Sequence, residues 1–102
     1  MNAPEKFDRY IDGMKYSIES ATLIAHDSYW DGHNFERRGR NTFLYRTPRG
    51  RYFYVALSQW QGEQDTLQAV SPDEAVSMYE HDLSEHEVEY AEAFPHVMIE
   101  EA

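Results

Sequence analysis

Two apolar segments joined by a short turn constrain the fold of this chain more than any other feature. The segments are residues 41–47, NTFLYRT, and residues 51–58, RYFYVALS, and the link between them is Pro48-Arg49-Gly50. Both segments are rich in the aromatic and β-branched residues that favour strands, and a link of Pro and Gly favours a tight turn. We therefore predict that residues 41–58 form a β-hairpin.

The second strand of this hairpin is apolar on both sides. Its side chains alternate between one set, Phe53, Val55 and Leu57, and another, Tyr52, Tyr54 and Ala56. Because successive strand residues point to opposite faces, we expect both faces of the sheet to be covered. Helices are expected on one face, and tyrosines and loops on the other.

The segments that precede and follow the hairpin complete the predicted sheet. Residues 7–16 alternate well enough for a short strand or strand and turn, with a break at Gly13, and residues 66–70, TLQAV, are predicted to form a third strand. Residues 17–26 are predicted to form a helix with Ser17 as its N-cap. The apolar side of that helix consists of Ile18, Ala21, Leu23, Ile24 and Ala25.

Two helix-start signatures follow in residues 71–94, SPDEAVSMYEHDLSEHEVEYAEAF. Ser71 and Glu74 form a capping-box pattern with Pro72 at the first helical position, and Ser84 and Glu87 repeat the spacing. Two short helices, or one bent helix, are therefore predicted, ending before a proline. The side chains expected to face the sheet are Ala75, Val76, Tyr79, Leu83, Val88, Ala91 and Phe94.

These elements predict an α+β fold in a single domain, residues 1–102. The fold would have a three- or four-stranded antiparallel sheet, an N-terminal helix and two short acidic C-terminal helices. About residues 1–6 and 96–102 are expected to be flexible. The length of 102 residues suffices for one modest core, cysteine is absent, and there is no signal-peptide pattern. We expect a soluble, cytosolic protein with no membrane partner.

Charge is strongly segregated along the sequence. The net charge is −10, and residues 52–102 contain twelve acids and no Lys or Arg. Residues 36–51 contain six arginines and one acid. Such asymmetry indicates either a charged partner or two oppositely charged parts of the fold that face each other.

The acids between residues 73 and 92 are candidates for binding a partner. In a helix, this stretch would span about 28 Å, with one charge per about 4 Å, against one phosphate per about 3.4 Å on a DNA strand. Glu85, Glu89 and Glu92 fall on one helical stripe. The predicted partner-binding residues are Asp73, Glu74, Glu80, Asp82, Glu85, Glu87, Glu89 and Glu92. A solvated outer face is the plainer interpretation of the same pattern.

Nothing in the sequence supports a particular reaction. There is no GxSxG motif, no Gly-rich phosphate loop and no cysteine nucleophile. Polar residues around the turn-rich segment 27–39 invite a metal or acid–base hypothesis, but their spacing matches neither HExxH nor an EF-hand loop. These residues are His26, Asp27, Asp31, His33 and Glu36. We predict no enzymatic activity, no cofactor and no metal.

Three other interpretations of the charge remain open. The arginines of the hairpin, Arg46, Arg49 and Arg51, could bind nucleic acid, with bases stacking on nearby rings. The rings in question are Phe43, Tyr45, Tyr52 and Tyr54. The net charge opposes this interpretation. The chain could also be a small acidic interaction domain of unrelated role, or its acidity could be an adaptation to high salt, although acids should then be spread over the surface.

The YRTPRGRYF hairpin followed by an SPDEA helix, in a small acidic chain, resembles the orphan proteins carried by phages and mobile elements. Within that group it is similar to anti-CRISPR proteins that act as DNA mimics and block type I effector complexes. The resemblance covers about residues 10–95 in layout. It implies a stoichiometric inhibitor in the cytoplasm of a bacterial host, whose partner is a basic nucleic-acid-binding protein, a CRISPR-Cas effector subunit or a nuclease. No direct contact with nucleic acid is implied, and we expect a monomer or weak dimer.

Overall fold

The computed structural model describes residues 6–27, 40–58 and 65–100, without the side chains of Arg40 and Ser58. In these residues there are seven strands and two short α-helices. The strands are β1 (Asp8–Ile11), β2 (Met14–Ser17), β3 (Thr22–His26), β4 (Arg40–Arg46), β5 (Tyr52–Ser58), β6 (Thr66–Val70) and β7 (Glu85–His86). The helices are α1 (Pro72–Ser77) and α2 (Tyr90–Ala93), and a π-helical turn (Met78–Asp82) directly follows α1.

Within the described residues, five strands form one antiparallel sheet in the order β6-β5-β4-β3-β7, which we call the main sheet. The predicted hairpin is confirmed: β4 and β5 are neighbours in this sheet and pair from Arg40↔Ser58 to Arg46↔Tyr52. In the turn, the Gly50 N–H donates to the Thr47 carbonyl over 2.9 Å. Gly50 has φ +84°, a conformation that glycine adopts without steric cost.

The predicted third strand is also confirmed. β6 pairs with β5 from Tyr52↔Val70 to Ala56↔Thr66. The alternation of β5 has the expected effect, since Phe53, Val55 and Leu57 are buried in one hydrophobic cluster and Tyr52 is buried in the other. The main sheet therefore has a core on each face.

The predicted N-terminal helix is wrong, because residues 22–26 form strand β3. This strand pairs with β4, and its register shifts between Leu23 and Ala25. The shift is a bulge, and it brings two consecutive residues, Ile24 and Ala25, into the same buried cluster. Consecutive apolar residues on one side imitate the spacing of a helix and hide the strand alternation.

The fold class predicted from the sequence is therefore wrong as well. The described chain is mostly β, with a five-stranded antiparallel sheet and a separate two-stranded one rather than one sheet of three or four strands. Its two α-helices have six and four residues and both follow the last long strand. Neither of these helices is long and apolar enough to cross a membrane.

Strands β1 and β2 form the two-stranded sheet, a hairpin that covers one face of the main sheet. Its turn is Asp12-Gly13, and both residues have positive φ, +53° and +77°. Tyr16 is buried against the cluster that contains Phe53. The Arg9 Nη1 donates to the Leu67 carbonyl over 2.6 Å and ties β1 to β6. This hairpin covers the face that the sequence analysis assigned to tyrosines and loops.

The C-terminal segment covers the opposite face. The predicted capping box is confirmed, since the Glu74 N–H donates to Ser71 Oγ (3.1 Å) and the Ser71 N–H to Glu74 Oε1 (3.4 Å). The second start signature is wrong: the residues after Ser84 form β7, which pairs with β3. Helix α2 begins later, with Glu89 as its N-cap.

The predicted inward face of this segment is correct at six of its seven positions. Ala75, Tyr79, Leu83 and Phe94 are buried in one cluster, and Val76 and Val88 pack against it. Ala91 is exposed, and Ala93 is buried in its place. The buried alanine lies two positions later than predicted because α2 begins later than predicted, so a different side of the helix faces the main sheet.

Candidate functional site

The predicted partner-binding acids all lie on the C-terminal segment, and we refer to these eight residues as the acidic surface. Seven of them are exposed, and only Glu85 is half-buried. Asp73 and Glu74 are in the first turn of α1, Glu80 and Asp82 in the π-helical turn, Glu85 in β7 and Glu92 in α2. Glu87 and Glu89 lie between β7 and α2.

The predicted helical stripe of glutamates does not form. Glu85 is in a strand, Glu89 has the extended angles φ −64° and ψ 153°, and only Glu92 is in a helix. The carboxylates therefore do not repeat along one helix axis, and the regular spacing of about 4 Å derived for a continuous helix does not apply. They are distributed instead over α1, the π-helical turn, β7, α2 and the residues between β7 and α2.

Three of the eight carboxylates have structural roles. Glu74 closes the capping box of α1. Glu80 Oε2 accepts a hydrogen bond from the Tyr90 hydroxyl over 2.9 Å. Glu87 Oε1 accepts one from His26 Nε2 over 2.8 Å, although the Glu87 side chain remains 54% exposed. These contacts hold part of the acidic surface in place.

The other five carboxylates have no such role among the described residues, and four of them are exposed. In the described part of the chain, no side-chain hydrogen bond or ion pair within 4 Å involves Asp73, Asp82, Glu85, Glu89 or Glu92. More broadly, none of the eight is paired with a Lys or Arg of residues 6–27, 40–58 or 65–100. Among those residues, no Lys or Arg within 4 Å offsets the mutual repulsion of these carboxylates.

The segment that carries these acids is anchored by aromatic rings. Phe94 is fully buried, and its ring centroid lies 5.3 Å from those of Tyr52 and Tyr79 and 5.4 Å from that of Tyr90. His86 stacks on Tyr79 with 3.8 Å between ring centroids. Such aromatic pairs add to the stabilisation from burial alone. The acidic surface is thus presented on a fixed support.

Buried hydrogen bonds reinforce this support. The Tyr52 hydroxyl donates to the Ala93 carbonyl (2.6 Å), and the Tyr79 hydroxyl donates to the Val88 carbonyl (2.7 Å). His86 Nε2 lies 2.9 Å from the carbonyl oxygens of both Tyr79 and Leu83, so this nitrogen carries a proton that it donates to them. These bonds give partners to the carbonyl of Ala93 at the end of α2, to that of Tyr79 in the π-helical turn, and to those of Val88 and Leu83 in the connecting segments.

Acids of this segment contribute to a raised pKa at two tyrosines, Tyr79 and Tyr90. Burial raises the pKa of Tyr79, and the negative charge of Glu89 raises it further. The pKa of Tyr90 is raised mainly by its hydrogen bond to Glu80, since the bond is lost when the phenol ionises. Both phenols therefore stay neutral over a wider pH range than an exposed tyrosine.

The arginines of the β4–β5 hairpin do not neutralise the acidic surface by direct contact. In the described residues, no carboxylate lies within 4 Å of a charged nitrogen of Arg46, Arg49 or Arg51. Arg49 and Arg51 are exposed, whereas Arg46 is half-buried and its Nε has no hydrogen-bond partner. The sequence left open whether the hairpin arginines neutralise the acidic surface. Among those described residues, no arginine of the hairpin forms an ion pair with a carboxylate of that surface.

Most of the rings proposed to stack on bases are inaccessible. Phe43, Tyr45 and Tyr52 are at most 4% exposed, and Tyr54 is half-buried. They are held in the two cores of the main sheet. Binding of nucleic acid by this hairpin stays a prediction that depends on Arg49 and Arg51 rather than on a stacking platform.

Of the five residues named in the metal or acid–base hypothesis, only His26 and Asp27 are among the described residues. His26 donates to Glu87, and Asp27 Oδ1 accepts from the Thr42 N–H over 2.6 Å. Asp31, His33 and Glu36 lie outside the described residues. Among the residues described, there is no group of three or more potential ligands arranged to hold a metal ion.

Sequence reasoning missed a cleft between two turns of the molecule. It lies between the β1–β2 hairpin and the β4–β5 turn, has a volume of about 610 Å³, and is lined in part by Lys15, Arg49 and Arg51. The Asp12-Gly13 pair, a frequent hairpin turn, is the signal that could have predicted the first of these hairpins. No local pattern indicates that the two turns meet.

Comparison of the chain with models of known protein families, with curated proteins and with solved structures finds no match.

Proposed function

We propose that this protein is a non-enzymatic inhibitor that binds a basic nucleic-acid-binding protein through its acidic surface, in place of DNA. The observation that carries the proposal is that eight carboxylates stand on one anchored segment, and none of them is paired with a Lys or Arg among the described residues. Carboxylates displayed in this way offer a negative potential to a groove built to receive phosphates.

The proposed contact depends on charge density and on a fixed display. Asp82 lies in the π-helical turn, Glu89 just before α2 and Glu92 within α2, so the surface does not imitate the straight repeat of one DNA strand. Complementary charge would accelerate association and make it sensitive to salt. Inhibition of this kind is stoichiometric and requires no nucleophile, cofactor or metal.

The class of target comes from the resemblance of the YRTPRGRYF hairpin and the SPDEA helix to anti-CRISPR proteins that mimic DNA. A CRISPR-Cas effector subunit in a bacterial host is therefore the first target to test, and other nucleases that bind DNA through basic grooves are the next. Both classes share the feature that the acidic surface requires, which is a groove lined by Lys and Arg.

The test is capture of a partner followed by competition with DNA. The purified protein is incubated with purified type I effector complex and with bacterial lysate, and bound proteins are eluted by increasing salt or by duplex DNA. A DNA mimic should retain a basic DNA-binding protein at low salt, release it at high salt, and be displaced by the duplex. Target-DNA binding by the retained protein should fall in proportion to the amount of inhibitor added.

A pair of charge-matched variants locates the contact. Glu89→Gln with Glu92→Gln removes two charges that form no hydrogen bond or ion pair in the described structure, and we expect affinity to fall about tenfold. The control, Asp12→Asn with Glu19→Gln, removes two exposed charges elsewhere and keeps a residue that tolerates positive φ at position 12. Equal effects of the two pairs, or binding that duplex DNA does not displace, would contradict the proposal.

A further inference from the structure

The cleft between the β1–β2 hairpin and the β4–β5 turn has the size of a small-molecule site. Its volume of about 610 Å³ lies within the range of about 300–1,000 Å³ in which such ligands bind. Both of its walls are tight turns, one containing Gly13 and the other Pro48 and Arg49. It adjoins the hairpin on one face of the main sheet, whereas α1 and α2 pack on the other.

The charge of the cleft is opposite to that of the whole protein. Lys15, Arg49 and Arg51 line it, no Asp or Glu does so among the described residues, and yet the net charge of the chain is −10. Lys15 is 52% exposed at its side chain and lies 3.8 Å from Asp8, a contact that offsets its charge only in part. Three cations thus line one cleft, and among the described residues only Lys15 has a carboxylate within 4 Å.

Hydroxyl groups accompany the cations. Thr47, Ser17 and Ser20 also line the cleft, although the Ser20 hydroxyl already donates its proton to the Ser17 carbonyl over 3.4 Å. Thr47 Oγ1 already accepts a hydrogen bond from the Arg51 N–H over 3.0 Å, so its own proton is available for donation. Charged donors combined with hydroxyl donors are the set that binds the oxygens of phosphate groups.

The backbone fixes the arginine wall. The Thr47 N–H donates to the Arg51 carbonyl (2.8 Å), and the Gly50 N–H donates to the Thr47 carbonyl (2.9 Å). Met14, 37% exposed, and Pro48 supply apolar surface in the same cleft. A ligand with a phosphate and an apolar ring could therefore contact both kinds of surface at once.

We propose that this cleft binds a phosphorylated ligand of nucleotide size, with the phosphate on Lys15, Arg49 and Arg51 and the apolar part against Met14 and Pro48. The same chemistry is offered by a free mononucleotide and by the phosphorylated end of a single-stranded nucleic acid. The inference does not depend on the proposed function, because the acidic surface contributes no residue to the cleft.

The experiment titrates the full chain with AMP, adenosine, inorganic phosphate and a short 5′-phosphorylated single-stranded oligonucleotide. Affinity is measured by calorimetry, and the site is mapped by the NMR shifts of the Gly13 and Gly50 amides. We expect saturable binding of AMP, weaker binding of phosphate, and none of adenosine. Stronger binding of the oligonucleotide than of AMP, with the same two amides shifting, would support the cleft and identify a nucleic-acid end as the source of the phosphate.

Variants of single charges separate the cleft from general electrostatics. Arg49→Gln should weaken AMP binding about tenfold, whereas Lys6→Gln, which removes one exposed charge outside the cleft, should change it less than about twofold. Asp8→Asn releases Lys15 and should tighten binding, more than Glu100→Gln does. Thermal unfolding of each variant verifies that it is folded.

Three results would overturn the proposal. One is the absence of saturable binding with every phosphate-bearing probe. Another is equal binding of AMP and adenosine, which would show that the phosphate is not recognised. The third is an equal loss in the variants at positions 49 and 6, which would show that binding follows net charge alone.

Discussion

The Tyr52 hydroxyl donates a hydrogen bond of 2.6 Å to the Ala93 carbonyl and so joins strand β5 to helix α2. Both residues are almost completely buried, at 2% and 1% exposure. The ring of Tyr52 also packs on Phe94, with 5.3 Å between centroids. One side chain thus determines where the last helix lies against the main sheet, and with it the position of Glu89 and Glu92.

Substitution of Tyr52 by Phe should destabilise the fold by about 1–3 kcal/mol, because it leaves the buried Ala93 carbonyl without this donor. Denaturant unfolding measures the change. Tyr10→Phe is the matched control, since Tyr10 is 72% exposed and should give no measurable change. Equal stability of the two variants would mean that the Ala93 carbonyl is satisfied in another way.

Phe94→Ala should have a larger effect, about 3–5 kcal/mol, because it removes a fully buried ring that contacts Tyr52, Tyr79 and Tyr90. Met98→Ala removes a side chain of the same segment that is 90% exposed, and stability should stay within about 0.5 kcal/mol. Thermal or chemical unfolding distinguishes the two. A loss below about 1 kcal/mol at Phe94 would show that α2 is not packed as described.

Ser71 and Ser84 have the same local sequence pattern but different structures, which gives a direct test of the C-terminal segment. Ser71→Ala should cost about 1 kcal/mol, because the side chain caps α1. Ser84 is exposed and precedes a strand, so Ser84→Ala should be close to neutral. A comparable loss at Ser84 would instead favour a helix that begins there, as its spacing from Glu87 predicts.

The correct sequence predictions rest on local chemistry. The β4–β5 hairpin follows from the turn at Gly50 and from the alternation along residues 52–58, and α1 follows from the capping pattern of Ser71 and Glu74. Each of these patterns is complete within a few residues, so no knowledge of distant contacts is needed.

The errors have non-local causes. The bulge at Leu23 to Ala25 is defined by pairing with β4, and β7 has two residues that are held as a strand only by pairing with β3. Seven of the eight acids are exposed, but the predicted stripe of Glu85, Glu89 and Glu92 does not form, because β7 and the extended residue Glu89 interrupt the predicted helix. Lys15 and Arg49 both line the basic cleft but are far apart in sequence.

Alkaline pH should destabilise the protein through its buried tyrosines. Burial raises the pKa of Tyr45, Tyr52 and Tyr79 above the value of 10.0 for an exposed tyrosine, although Arg46 offsets part of the effect at Tyr52. The hydrogen bond to Glu80 is the main cause of the raised pKa at Tyr90. Above pH 10, the unfolded chain therefore releases protons that the folded chain retains.

The sign of the effect follows from that difference. The free energy of unfolding should receive the full contribution of these tyrosines below about pH 10 and lose it as the pH rises toward their folded-state pKa values. Denaturant unfolding at a series of pH values, combined with the ultraviolet absorbance of tyrosinate, measures both quantities. Tyr45→Phe should make the alkaline loss shallower, and Tyr10→Phe should leave it unchanged. Ionisation of all eight tyrosines near pH 10 in a protein that remains folded would show that these rings are not buried as described.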